Sequence, residues 1–369
     1  MKAYMFPGQG AQAKGMGGSL FDEFPDLTSK ADEILGYSIK ELCLEDPRRE
    51  LGKTQFTQPA LFVVNAMSHR RKRETSGQAD FLVGHSLGEF NALLAAGSFD
   101  FETGLQLVRK RGELMSQANR GAMAAILNAS KEQIEAILRD NGLENVDLAN
   151  YNSPSQIVIS GARDEIAKAQ HCFKGDMAYY PLNTSGAFHS RLMRESQTEF
   201  DAYLRGFDLA DPTVPVISNI TARPYEPGAV ADNLARQISS TVRWSESIQY
   251  LLGLASERGS EIDFEELGHG DVLTKLVRGI RQQTVGVAAP APIPADRPAT
   301  PEHAPRRDAA EKVREWNMKH PVGTRVTSAM DGYGELETGT EAIVLFGHRA
   351  AVYMKGYNGY FDLDTLTAA

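Results

Sequence analysis

Residues 81–96 read Phe-Leu-Val-Gly-His-Ser-Leu-Gly-Glu-Phe-Asn-Ala-Leu-Leu-Ala-Ala. Phe81-Leu82-Val83 suits a buried strand, and the run from Glu89 onward suits a helix. Gly84-His85-Ser86-Leu87-Gly88 is then a sharp turn between them, with the G-x-S-x-G spacing of a nucleophile elbow. Where strand and helix cross closely a Cβ would clash, which is why glycines flank the turn. The turn exposes the Ser86 hydroxyl, and the Leu87 amide, at the helix N-terminus, is placed to stabilise an oxyanion. The pattern alone arises by chance. Its setting, strand before and helix after, gives it chemical meaning.

Outward from this turn, short apolar strands (residues 3–6, 81–83, 214–218) alternate with longer helical patterns (59–70, 90–96, 102–117). That alternation predicts a parallel sheet in an α/β-hydrolase-like core, formed by residues 1–121 and 188–284. Residues 122–187 break the rhythm. They read β-α-β-β-α-β, the order of an inserted ferredoxin-like subdomain. Residues 285–305 hold six of the chain's 17 prolines, so 285–308 is predicted to be a Pro/Ala-rich linker. Beyond it, residues 309–369 give a short charged helix and several β-rich runs, a small accessory domain.

The chain has 369 residues, 42% apolar and 24% charged, a globular composition with length for about two domains. Its net charge of −9 argues against nucleic acid as a partner. No apolar run approaches the roughly 18–20 residues of a membrane span, and Pro7 and Gly8 interrupt any signal-like start. Cys43 and Cys172 stand apart with no companion ligands, which points to no metal centre and to a reducing cytoplasm.

A serine nucleophile needs a base. His85 sits in the elbow but faces away from Ser86, and His303, His320 and His348 fall in the linker and tail. His69 reads as part of a solvated helix end and His171 as a packed residue of the insert. His189, in Ser185-Gly186-Ala187-Phe188-His189-Ser190, and His269, between two glycines, remain; the small-residue turn favours His189. Arg111 falls on the apolar stripe of the 102–117 helix, where a cation needs an anion. That anion is either an internal acid or a substrate carboxylate, held bidentately. The Phe6-Pro7-Gly8-Gln9-Gly10 loop lacks a dinucleotide fingerprint and is better suited to bring the Gln9 amide to a neighbouring site.

Taken together, FPGQGAQ (6–12), GHSLGE (84–89), Arg111 in LVRKRGELM, ANYNSPSQIVISG (149–161) and GAFHS (186–190) resemble the malonyl-CoA:acyl carrier protein transacylase family. The likeness includes the free-standing acyltransferases that serve polyketide synthases, and covers residues 1–284. It implies Ser86 as nucleophile, His189 as general base and Arg111 as clamp for the malonyl carboxylate. It further implies an oxyanion hole from the Gln9 and Leu87 amides, and His189 support from the Gln237 main-chain carbonyl. Asn150 and Asn152 match a polar pair lining the cleft. Phe188 and Leu87 match the residues that crowd an α-methyl group in malonyl-selective members. The chain departs from the family at Gly268-His269-Gly270, where Gly-Pro-Gly is usual, and in everything after Val285. The implied reaction is ping-pong transfer from malonyl-CoA to a carrier protein, for polyketide or fatty-acid synthesis, without a cofactor. The implied protein is a monomer with no membrane partner, and its tail would meet a polyketide synthase. Arg70 to Arg73, Arg191 and Arg194 are candidates for phosphates or an acidic carrier helix, the 70–73 run being more simply a solvated face. The competing readings are a hydrolase clearing stalled acyl groups and a non-catalytic docking protein.

Overall fold

The computed structural model describes residues 1–118, 121–284, 309–328, 335–345, 349–355, 360–363 and 366–368. The chain divides into two compact units, Met1–Ala291 and Pro292–Ala369. The division falls inside the Pro-rich stretch, whose residues 285–308 lie outside the described ones.

The first unit opens with strand β1 (Lys2–Phe6), followed by α1 (Leu20–Glu23), α2 (Pro25–Leu35), α3 (Ile39–Leu44) and α4 (Thr54–Ser76). Strand β2 (Phe81–Gly84), α5 (Gly88–Ala95) and α6 (Phe101–Gln117) come next. Helix α4 is longer than the pattern predicted, continuing through Pro59. One proline in the second turn removes a single amide donor, and at the N-terminus Thr57 Oγ1 donates to the Leu51 and Lys53 carbonyls. At the other end Arg70, Arg71 and Lys72 pair with Asp26, Glu23 and Glu265, so three of the four basic residues of the 70–73 run meet acids of this same unit. His69 corrects the solvated reading: it is half-buried against the edges of the Tyr4 and Phe6 rings.

The insert forms its own antiparallel sheet from β3 (Gly121–Leu127), β4 (Asp147–Ser153), β5 (Gln156–Ala162) and β6 (Ala178–Pro181), in the order β4-β5-β3-β6. Helices α7 (Lys131–Asp140) and α8 (Arg163–Ala169) pack on it around Ile126, Ile134, Ile159 and Ile166. Ser130 caps α7 in a capping box with Gln133, fixing where that helix starts. Helix α8 ends before His171, which is exposed rather than packed.

The chain then returns through α9 (Arg194–Leu204), β7 (Val216–Ile217), α10 (Val230–Gln237), α11 (Trp244–Glu257), β8 (Asp263–Glu266) and α12 (Val272–Thr284). Strands β7-β2-β1-β8 form an all-parallel sheet, so the α/β expectation holds. Helices cover both faces: Tyr4, Phe6 and Leu82 face one apolar cluster, while Ala3, Met5, Phe81 and Val83 face another. Burial on both sides is why these strands read as continuous apolar runs rather than alternating ones. Because β1 and β2 run parallel in register, Phe6 opposite Gly84, the loops leaving their C-terminal ends lie side by side.

In the second unit α13 (Ala309–Lys319) precedes β9 (Arg325–Ser328), β10 (Glu335–Glu337), β11 (Ile343–Leu345), β12 (Arg349–Tyr353), β13 (Tyr360–Asp362) and β14 (Leu366–Ala368). These make two three-stranded antiparallel sheets, β10-β9-β14 and β11-β12-β13, around Val326, Val352, Met354 and Leu363.

Candidate active site

Ser86 sits on the turn between β2 and α5 at φ 51°, a left-handed conformation that a side-chain-bearing residue rarely adopts. A Cβ on Gly84 would lie 1.9 Å from the Gly88 carbonyl carbon, and one on Gly88 would lie 1.9 Å from the Phe6 oxygen. Only glycine lets the helix start this close to both strands. The strain at Ser86 is held by Asn219, which follows β7: its Oδ1 accepts from the Ser86 amide at 2.7 Å, and its Nδ2 donates to the Gly84 carbonyl at 2.6 Å.

Ser86 Oγ lies 2.8 Å from His189 Nε2. His189 is buried, also at a positive φ of 57°, and its Nδ1 lies 2.9 Å from the Gln237 carbonyl oxygen. That carbonyl fixes the proton on Nδ1 and leaves Nε2 unprotonated toward the serine. Burial pushes the imidazole pKa down to about 3, with Arg111 adding to the shift, so the ring is neutral at physiological pH. A neutral imidazole in contact with a hydroxyl can accept its proton. Phe188, beside it, is buried in the main cluster.

Arg111 is buried, 1% exposed, yet its hydrogen bonds all go to neutral groups. Nη1 donates to Gln58 Oε1 at 2.7 Å; Nη2 donates to Gln237 Oε1 at 2.8 Å and to Ser86 Oγ at 3.0 Å. The guanidinium lies over the Phe90 ring, and Nε has no partner among the described residues. Burial lowers its pKa to about 9, with Glu89 opposing the shift. The internal acid left open by the sequence is therefore not in contact. Glu89, 1% exposed on α5, stands behind Gln237.

The loop after β1 approaches from the other side. A Cβ on Gly8 would lie 3.5 Å from the Leu87 nitrogen, so the Gln9 loop and the Leu87 amide are neighbours. Neither the Gln9 nor the Leu87 amide donates to a main-chain acceptor among the described residues. Asn65 of α4 holds the loop by donating to the Pro7 carbonyl at 2.9 Å, and Gln9 Nε2 donates to Thr54 at 3.3 Å.

Asn150 and Asn152 are both buried on β4. Asn152 Oδ1 is 2.8 Å from His85 Nε2, so it is engaged by the elbow rather than left open to a cleft; His85 also packs on Trp244. The Asn150 backbone bridges to Val242, in the segment between α10 and α11. A groove of about 810 Å³ runs from Tyr151 and Asp147 past Arg194 and Arg236 to His189. Arg191 on its rim is already held by Asp147, at 2.6 Å.

Sequence reasoning missed Gln58, Glu89, Asn219 and Tyr225. Glu89 was in plain view, three residues past the serine, but an acid in a first helical turn reads as an ordinary dipole partner. The others carry no local signal.

The profile of the acyl transferase domain family matches residues 3–306. The polyketide biosynthesis malonyl CoA-acyl carrier protein transacylase BaeC of Bacillus velezensis is 53% identical over 288 residues, 77% of this chain and 98% of that protein. Among solved structures, the malonyl CoA-acyl carrier protein transacylase of Burkholderia pseudomallei is 65% identical with a TM-score of 0.76, covering 77% of this chain and 99% of its own. A malonyl-transacylase in complex with its type II polyketide synthase acyl-carrier protein is 33% identical with a TM-score of 0.71, covering 76% of this chain and 93% of its own.

Proposed function

The chain belongs to the acyl transferase domain family, and from that premise we propose that Ser86, His189 and Arg111 carry a malonyl group from malonyl-CoA to an acyl carrier protein. One observation supports this reading above the rest. The nucleophile's Oγ touches both a neutral imidazole and a buried guanidinium with no acid in contact. Serine and histidine alone suit any acyl transfer; the guanidinium suits an acyl group that ends in a carboxylate.

His189 Nε2 takes the Ser86 proton as Oγ attacks the thioester carbonyl carbon. The Gln9 and Leu87 amides hold the oxyanion. As the tetrahedral intermediate collapses, the C–S bond breaks, and the leaving coenzyme A sulfur takes the proton back from His189. The malonyl carboxylate lies against Arg111, accepting from Nε–H and from the Nη2–H now turned to Ser86. In the second half-reaction His189 deprotonates the phosphopantetheine thiol of the carrier, which attacks the seryl ester and restores Ser86. Leu87 and Phe188 limit space beside the acyl α-carbon. Asn150 and Asn152 act through the wall of the cleft. The scheme uses no cofactor, because malonyl-CoA is a substrate.

Around this chemistry we read residues 122–187 as a ferredoxin-like subdomain, supported by the β4-β5-β3-β6 order with two helices. The protein is read as a cytoplasmic monomer; among its described residues no helix is long and apolar enough to cross a membrane. The second unit is read as an accessory module for a polyketide synthase or carrier. The solved transacylase covers only 77% of this chain while being covered over nearly its whole length, and the family match ends at residue 306, before the helix and strands of this unit. Cutting the chain after Thr284 should therefore slow transfer to the native carrier more than loading of Ser86. Equal loss in both would make the module a stabilising cap.

Transfer itself is tested by adding holo-carrier protein to enzyme loaded from malonyl-CoA and following the carrier by mass. Malonyl-carrier should accumulate in stoichiometric step with loss of malonyl-CoA. Release of free malonate with no acylated carrier would make the protein a hydrolase.

A further inference from the structure

Among the described residues, Glu89 is the buried charged group that the reaction scheme leaves unused. Its three hydrogen-bond partners all donate. Oε1 accepts from the Asn219 amide at 2.9 Å and from the Tyr225 hydroxyl at 2.7 Å, while Oε2 accepts from Gln237 Nε2 in a short contact. Gln237 Nε2 gives its other hydrogen to the Ser86 carbonyl at 2.9 Å. The amide's two hydrogens thus face two acceptors, which leaves its oxygen facing Arg111 Nη2. With the amide reversed, an NH2 would meet the guanidinium and an oxygen would meet a carboxylate. Both contacts are repulsive.

We propose that Glu89 is a positioning residue that sets the polarity of the Gln237 side-chain amide and, through it, aims the Arg111 guanidinium at the acyl carboxylate. This rests on the malonyl-transfer reading above, since it assigns Glu89 a part in how that site selects its acyl group. The same residue reaches the base, because the Gln237 main-chain carbonyl is the His189 partner. Glu89 is also the acid opposing the loss of charge on Arg111. Burial pushes Glu89 itself up to about 7, against the pull of the three donors, so its ionised form is studied best at pH 8.

The test substitution is Glu89→Gln, which keeps the shape. Its NH2 must meet either the Gln237 NH2 or the Asn219 N–H, so one pair of buried donors conflicts whichever way it turns. Tyr225→Phe is the comparison: it removes one donor to Oε1 and leaves the Oε2–Gln237 bond. Loading of the seryl ester from malonyl-CoA and from acetyl-CoA is measured for both variants and wild type at pH 8, with melting temperatures. Glu89→Gln should raise the KM for malonyl-CoA by roughly 10- to 100-fold, the range that an unsatisfied buried donor is worth. It should lower the malonyl-over-acetyl preference by the same factor, with acetyl loading changed less than about threefold. Tyr225→Phe should lower stability while keeping the preference. If Glu89→Gln keeps the wild-type preference, or loses malonyl and acetyl loading equally, Glu89 is structural support only and the proposal fails. Should Glu89→Gln not fold, Glu89→Asp draws the carboxylate back by one methylene and carries the same forecast at smaller size. A wild type that fails to load malonyl at all would overturn the function reading instead.

Discussion

On the proposed reading, Arg111 carries the selectivity of the site. A guanidinium 1% exposed, hydrogen-bonded only to neutral groups, gains more from a carboxylate than any surface arginine. Truncating one partner of a buried charge pair costs about 2–5 kcal/mol, so Arg111→Ala should cut kcat/KM for malonyl-CoA by roughly 10²-fold or more. Acetyl loading should fall much less, and parallel kinetics on the two thioesters check this. An unchanged ratio would reduce Arg111 to a structural role. The arginine was legible in the sequence because it broke an apolar stripe, and that break has a physical cost. Its partner was not legible: Gln58 and Gln237 approach from 53 and 126 residues away. The partner of Asn152 was not legible either: His85, whose ring Nε2 meets its Oδ1, lies 67 residues earlier in the chain.

At the level of elements, the site is made where parallel strands end. β1 delivers the Gln9 loop, β2 the elbow and β7 Asn219, all at C-terminal edges of one sheet. Gly88 is where helix α5 meets the end of β1, 1.9 Å from the Phe6 oxygen for any added Cβ. Gly88→Ala must therefore displace backbone rather than a pliable side chain. It should destabilise by about 3 kcal/mol, the upper range of overpacking costs. Denaturant unfolding beside Ser86 loading checks the forecast, with both expected to drop; a fully stable, active Gly88→Ala protein would contradict the packing account. The elements themselves were largely readable. Period and glycine placement gave the strand–turn–helix, and the β-α-β-β-α-β order of the insert was equally readable. What failed was extent: α4 runs through Pro59 and past His69, because Arg70, Arg71 and Lys72 find acids on other elements. Such long-range pairing leaves no trace in local periodicity.

For the whole molecule, several histidines are held neutral by burial. His189 is pushed down to about 3 and His69 to about 4, and His85 is also lowered. Unfolded, each titrates near 6.5. Between those values the unfolded chain binds more protons, so the stability these groups contribute is present above pH 6.5 and is lost as pH falls. Glu89, raised to about 7 from an unfolded value near 4.5, acts oppositely: its native form holds a proton over much of that window. His189 and His69 against Glu89 leave a net of about one proton, at roughly 1.4 kcal/mol per pH unit, and His85 acts in the same direction as the other two rings. The melting temperature should fall steadily from pH 6.5 to 4.5, as calorimetry would record. A flat profile would mean that these rings are not held neutral.

The proposed scheme requires Ser86 to become esterified by malonate. Intact-mass spectrometry of the protein incubated with malonyl-CoA alone measures it most directly, with peptide mapping to place the adduct. One malonyl group should add to the wild type, on Ser86. His189→Ala should load roughly 10²–10⁴ times more slowly, the usual worth of a general base. Ser86→Ala should carry no adduct. A malonyl mass that persists on the Ser86→Ala protein, or that maps to another residue in the wild type, would contradict the account.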